Sequence, residues 1–408
     1  LARERRQVGT GRSWSSGATK STLAVGRYFD KLRIDIKLEN TSIKRVSMRA
    51  SLAILATLLA LVAPAFAQGT NTSPAIAFDS IPDFLKPPPD VHFGEVSGIA
   101  VDSRKHVYIL SRGGTVGPAF GATAAQLFEF GPDGTFIREI GKGLYAWSFA
   151  HTVRVDKDDN LWLTDKGSDM VVRFAPNGRV AMVWGRKPEA SDESAKPLER
   201  PNPPLPAVQG LFRQVTDVTW DKAGNAYISD GYINSRVAKI DKDGNWIASY
   251  GSYGTEPGQF RTLHSIASDA QDNIYVADRG NARIQVMDTS GKVQRIIKID
   301  VPFDYDAARV IIRGKPPRDN KTIDLFTPGA PWALCITPPP NQFLYVADAF
   351  PGRIYKLSLD GAVLGWLGET GKQLKQFGWI HEIACPSENE LYVGELLNWR
   401  AQKLILHP

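Results

Sequence analysis

Six short runs rich in β-branched and aromatic residues recur along this chain: HVYILS, NLWLTD, NAYISD, NIYVAD, FLYVAD and ELYVGE, ending at Ser111, Asp165, Asp230, Asp278, Asp348 and Glu395. Such runs are strand signals. Their spacing of 47 to 70 residues is that of a repeat architecture with loop insertions. After each run comes another strand, then a turn such as GPDG, APNG, DKDG, DTSG or SLDG, then a further strand such as VAMVWG. Asp, Asn and Gly make those turns tight reversals. With the segment preceding each run, every unit holds four antiparallel strands, so the expected fold is an all-β, six-bladed β-propeller. The last unit stops after three strands, at RAQKLILHP, and a closed ring needs a donor. Residues 73 to 84, SPAIAFDSIPDF, are the expected outer strand. Two insertions interrupt the repeat, roughly 186 to 210 and 302 to 331, and long loops in a compact fold can wall a cleft.

The innermost segments align as SGIAVD from Ser97, HTVRVD from His151, TDVTWD from Thr216, HSIASD from His264, WALCIT from Trp332 and HEIACP from His381. Three histidines therefore share one register position, in blades two, four and six. All three point to the central axis. Three converging imidazoles with no fourth protein ligand match what a catalytic zinc needs, which is three ligands and one open position. A lone strand-start histidine is usually structural, and His92, His106 and His407 lack the register. The recurrent Asp165, Asp230, Asp278 and Asp348, followed by Arg236, Arg283, Arg353 and Arg400, read as a blade-stabilising network.

The first strand of a blade begins at the edge where the second ends. Residues just after the second-strand acid, Arg112, Lys166, Gly231, Arg279, Ala349 and Leu396, thus surround the channel mouth where the histidines converge. Arg112 and Arg279 occupy equivalent places in blades one and four, and Tyr232 follows Gly231. Two guanidiniums, a phenol and a metal suit a small anionic group whose attached hydroxyl must lose a proton.

Residues 48 to 67, MRASLAILATLLALVAPAFA, have a basic start, a short apolar stretch and a small-residue end at Ala65-Phe66-Ala67. This is the pattern of a secretory signal peptide, with the mature propeller domain expected over residues 68–408 in the periplasm or outside the cell. Residues 1–47, upstream of Met48, are read as a gene-model extension. They carry eleven Lys and Arg against four Asp and Glu, more than the whole chain's formal +6, so the remainder has about one net negative charge. The basic balance thus belongs to the leader and gives no reason to expect a nucleic-acid partner. The expected partner is a small anionic or peptide-derived substrate, with no membrane contact after cleavage and a monomeric state. The two cysteines, Cys335 and Cys385, fall in the inner strands of blades five and six. Neighbouring inner strands seldom bring two Cα atoms to bridging distance, so buried free thiols are expected.

The stretch GQFRTLHSIASDAQDNIYVADRGNARIQVMD resembles NHL repeats. More specifically, FAHTVRVDKDDNLWLTD, YISDGYINSRV, LHSIASDAQDNIYVADRGNARIQ and WIHEIACPSENELYVGE resemble the peptidyl-α-hydroxyglycine α-amidating lyases, over about residues 90 to 405. The resemblance implies zinc on His151, His264 and His381, Tyr232 as base, and Arg112 and Arg279 around the substrate. It further implies a structural calcium held by the carbonyls of Ile99 and Val153 and by the side chain after the last histidine. That residue is Glu382 where the family has Asp. Animal members also have a cysteine where this chain has Ile233, and a propeller without a copper monooxygenase domain is the expectation for these residues. The implied reaction cleaves a peptidyl-α-hydroxyglycine to a peptide amide and glyoxylate. Two readings of other classes stand beside it: a non-catalytic NHL propeller binding a protein or glycan, and a metal-dependent propeller enzyme of another reaction, such as a lactonase.

Overall fold

The computed structural model describes residues 73–113, 125–186, 206–311, 314–317 and 325–407. The leader, most of the first insertion and part of the second lie outside the described residues. Within them, six four-stranded antiparallel sheets form the blades of a propeller. The inner strands are Glu95–Val101, Ala150–Val155, Asp217–Trp220, Leu263–Ser268, Ala333–Ile336 and Ile380–Ser387.

Second strands are the most deeply buried, because each is covered on both faces by neighbouring blades. Leu161–Asp165, Ala226–Asp230 and Ile274–Asp278 are buried at every position. Outer strands face solvent and alternate, as Trp246–Tyr250 does. The core therefore lies in layers between blades. Leu110 and Leu127 of blade one pack with Leu163 and Val172 of blade two, and Ala347 and Ile354 of blade five with Val393 and Leu404 of blade six.

Ring closure follows the expected route. Ala77–Ile81 pairs antiparallel with Arg400–His407, from Ala77 opposite His407 to Ile81 opposite Lys403, and gives blade six its outer strand. Pairing covers an edge that would otherwise stay open. The seam is anchored by Phe78, whose ring stacks on Phe377 at 6.3 Å.

The recurrent acids fasten each blade's entry segment to its second strand. Asp165 accepts the N–H of Phe149, Asp230 that of Arg213, Asp278 that of Arg261, Asp348 that of Gly329 and Glu395 that of Gly378. In blade one, the Ser111 hydroxyl accepts the N–H of Gly94. Arginines complete the network in three blades, with Arg236 on Asp230 at 3.0 Å, Arg283 on Asp278 at 2.7 Å and Arg400 on Glu395 at 2.7 Å. Arg353 departs from this pattern. Its guanidinium stacks over Trp366 at 3.6 Å and donates to the Pro302 carbonyl, while Tyr355 serves Asp348.

The cysteines overturn the free-thiol expectation. Cys335 and Cys385 form a disulfide with a Cα–Cα distance of 6.0 Å. The pairing of Ile380–Ser387 with its neighbour breaks register between Ala384 and Ser387, at Cys385. Such bulges re-aim side chains, which regular strand geometry did not anticipate. The bond encloses a 50-residue separation, so a Cys335→Ala/Cys385→Ala variant is expected to lose roughly 2–4 kcal/mol of unfolding free energy. A denaturant midpoint equal to that of the parent protein would contradict that expectation.

Candidate metal centre and active site

His151, His264 and His381 each stand second in an inner strand, and at each the ladder to the next strand breaks register. A bulge releases the side chain from regular alternation. The three imidazoles meet on the axis, with ring centroids 4.8, 4.4 and 4.8 Å apart. One nitrogen from each lies within 4.8 Å of the others, and all three residues are buried.

The rings are oriented by a repeated hydrogen bond to the residue at the same register of the following blade. Nδ1 of His151 lies 2.7 Å from the Thr216 carbonyl, Nδ1 of His264 2.6 Å from that of Trp332, and Nδ1 of His381 2.7 Å from that of Ser97. A carbonyl only accepts, so each Nδ1 carries the proton and each Nε2 keeps its lone pair. Burial holds all three pKa values well below the usual histidine range, helped by nearby cations at each and by neighbouring histidines at His151 and His264. The Nε2 of His264 is buried with no hydrogen-bond partner. Neutral imidazoles, carbonyl-anchored behind and converging in front, fit a metal ion of zinc type.

Tyr232 stands beside them. Its hydroxyl is 3.4 Å from Nε2 of His151, and the two rings meet edge to face at 5.6 Å. Gly231 permits this approach, since a Cβ there would lie 1.8 Å from the Leu263 carbonyl oxygen. Cations surround the phenol. Lys166 lies 3.9 Å from its ring centre and Arg279 5.5 Å. Burial pushes the Tyr232 pKa up, but Lys166, then Arg279 and Arg112, outweigh it and bring the value down to about 8.

The two arginines are set differently. Arg112 bonds Glu95 at 2.9 Å and the Ala150 carbonyl at 2.9 Å, with its guanidinium 4.0 Å from the Phe149 ring centre. Arg279 stacks on Trp332 at 4.4 Å. Glu95 lay in no motif of the sequence, and Phe149 and Trp332 lay within repeat motifs that did not mark them for the site. Lys166 did stand at the right register, and that position was the signal that could have marked it for the site.

The NHL repeat family model matches residues 260–287. Peptidylglycine alpha-amidating monooxygenase of Rattus norvegicus is 29% identical over 326 residues, covering 74% of this chain and 29% of its own length. The probable peptidyl-alpha-hydroxyglycine alpha-amidating lyase pgal-1 of Caenorhabditis elegans is 28% identical over 214 residues, 48% of this chain and 56% of its own. By these matches the chain resembles NHL-repeat proteins and peptidyl-α-hydroxyglycine α-amidating lyases. NHL repeat-containing protein 3 of Homo sapiens is also similar, 29% identical over 213 residues, 49% of this chain and 54% of its own. The chain thus spans less than two thirds of each of these relatives.

One expectation drawn from the amidating-lyase family does not fit. Ile99 and Val153 turn their N–H groups toward Glu382, whose Oε2 accepts them at 3.0 and 3.1 Å. The other oxygen of Glu382 forms an ion pair with Arg154 at 3.0 Å. Calcium needs several oxygen ligands, and here donors and a guanidinium face the carboxylate instead. These residues do not form a calcium site.

Proposed function

We propose that this protein is a zinc-dependent carbon–nitrogen lyase that cleaves a carbinolamide of the peptidyl-α-hydroxyglycine type to an amide and glyoxylate. The observation that carries the reading is the Tyr232 hydroxyl, 3.4 Å from Nε2 of His151 within the three-histidine cluster and ringed by cations. On this reading a phenol made easier to ionise would stand against the substrate hydroxyl. A binding scaffold gives no reason for it.

His151, His264 and His381 would hold the metal, which supplies a Lewis acid that polarises the substrate hydroxyl. Tyr232, as phenolate, takes the hydroxyl proton. The freed electron pair becomes the carbonyl of glyoxylate as the carbon–nitrogen bond breaks. The nitrogen leaves with the bonding pair and recovers the proton from Tyr232, so the amide forms and the base is reset. Arg279 and Lys166 stabilise the phenolate, while Arg112, fixed by Glu95 and the Ala150 carbonyl, adds a constant positive potential that also favours an anionic substrate.

The same reading places the protein in the periplasm or outside the cell, acting as a monomer on a small anionic or peptide-derived substrate. A disulfide is at home in an oxidising compartment. Among the described residues no helix is long and apolar enough to cross a membrane. Chelation of the purified protein should abolish turnover of α-hydroxyhippurate, and added zinc should restore it. Undiminished turnover after complete metal removal would rule the zinc-dependent reading out.

A further inference from the structure

Beyond the histidines, the same inner strands carry a second polar centre. Arg154, three residues after His151, donates its Nε–H to Asp217 at 2.9 Å and forms an ion pair with Oε1 of Glu382 at 3.0 Å, an oxygen with no hydrogen-bond partner. One terminal nitrogen reaches Asp217 at 2.6 Å, the Ser265 hydroxyl at 3.2 Å and the Leu334 carbonyl at 3.1 Å. The other reaches the Ile383 carbonyl at 3.3 Å. Glu382 in turn accepts the N–H groups of Ile99 and Val153. Together the guanidinium and the carboxylate bond the inner strands of all six blades.

This centre is built for close contact. The side chains of Asp217 and Glu382 are fully buried, and that of Arg154 is 14% exposed. Gly98 leaves room for the carboxylate, since a Cβ there would lie 2.8 Å from its Oε2. Buried carboxylates demand a cation. The oxygens of Asp217, Glu382, Ser265, Leu334 and Ile383 are hard ligands of the kind calcium takes. Arg154 already reaches them all, by hydrogen bonds to Asp217, Ser265, Leu334 and Ile383 and by an ion pair to Glu382, and a planar fork of five donors can serve several at once.

We propose that Arg154 takes the place of the family's structural calcium, so that the cation joining the six blades is an internal guanidinium and no ion is required there. The proposal is independent of the reaction catalysed. It turns on one residue, and it predicts what removing that residue creates. Arg154→Ser would leave two buried carboxylates, a hydroxyl and two carbonyls around a space open to a divalent ion.

The test uses the purified mature protein with zinc present throughout, measuring bound calcium by elemental analysis and the thermal midpoint with and without added calcium. The parent protein should hold no stoichiometric calcium, and its midpoint should not move. One calcium per chain, or a midpoint raised by calcium, would overturn the proposal. Arg154→Ser should melt several degrees lower in calcium-depleted buffer and recover part of that loss when calcium is added. A variant as stable as the parent without calcium would also overturn it. If Arg154→Ser does not fold, the calcium content and midpoint of the parent protein decide the matter alone.

Discussion

Tyr232→Phe is expected to slow turnover of a hydroxyglycine substrate by at least about two orders of magnitude, the lower end of what a general base contributes. The substitution removes one oxygen and keeps the ring, so its edge-to-face contact with His151 and its place beneath Lys166 remain. Metal content should therefore stay near that of the parent protein. KM should change far less than kcat, because the lost interaction serves the transition state rather than ground-state binding. Near-normal turnover in a metal-loaded variant would mean that the proton acceptor lies elsewhere. Glu382 is then a poor substitute, since its oxygens already face Arg154 and two backbone N–H groups.

His264→Ala should lose most of the bound metal, and activity with it. Replacing a group that only orients a metal ligand costs about 10- to 100-fold in affinity, so deleting one of three ligands should cost more. The fold should survive, because stability resides in the layers between blades. The variant forfeits the hydrogen bond to the Trp332 carbonyl and the ring contacts with His151, His381 and Trp332, losses confined to the axial cluster. Elemental analysis beside a thermal melt separates the two effects. Full metal stoichiometry in a folded His264→Ala protein would remove the three-histidine site.

Much of this architecture was legible because the second strands are buried on both faces and must be written in β-branched and aromatic residues. Counting them yields six blades, and counting the strands of the last yields the need for Ala77–Ile81. The histidines were legible for a related reason: the repeat makes one register position equivalent in every blade, so an unusual residue there stands out. What escaped depends on contacts between blades, which no spacing along the chain encodes. The disulfide needed the bulge at Cys385. Lys166 was in register, but its reach over the Tyr232 ring depends on how blades two and three meet. Arg154 looked like an ordinary charged residue in HTVRVD, and only convergence of the inner strands sets it between Asp217 and Glu382.

The most direct measurement is product analysis with α-hydroxyhippurate and the zinc-loaded parent protein. Proton transfer through Tyr232 with cleavage of the carbon–nitrogen bond predicts benzamide and glyoxylate in equal amounts, with no benzoate. Release of benzoate, or no product from a folded protein carrying its full complement of metal, would contradict the lyase account.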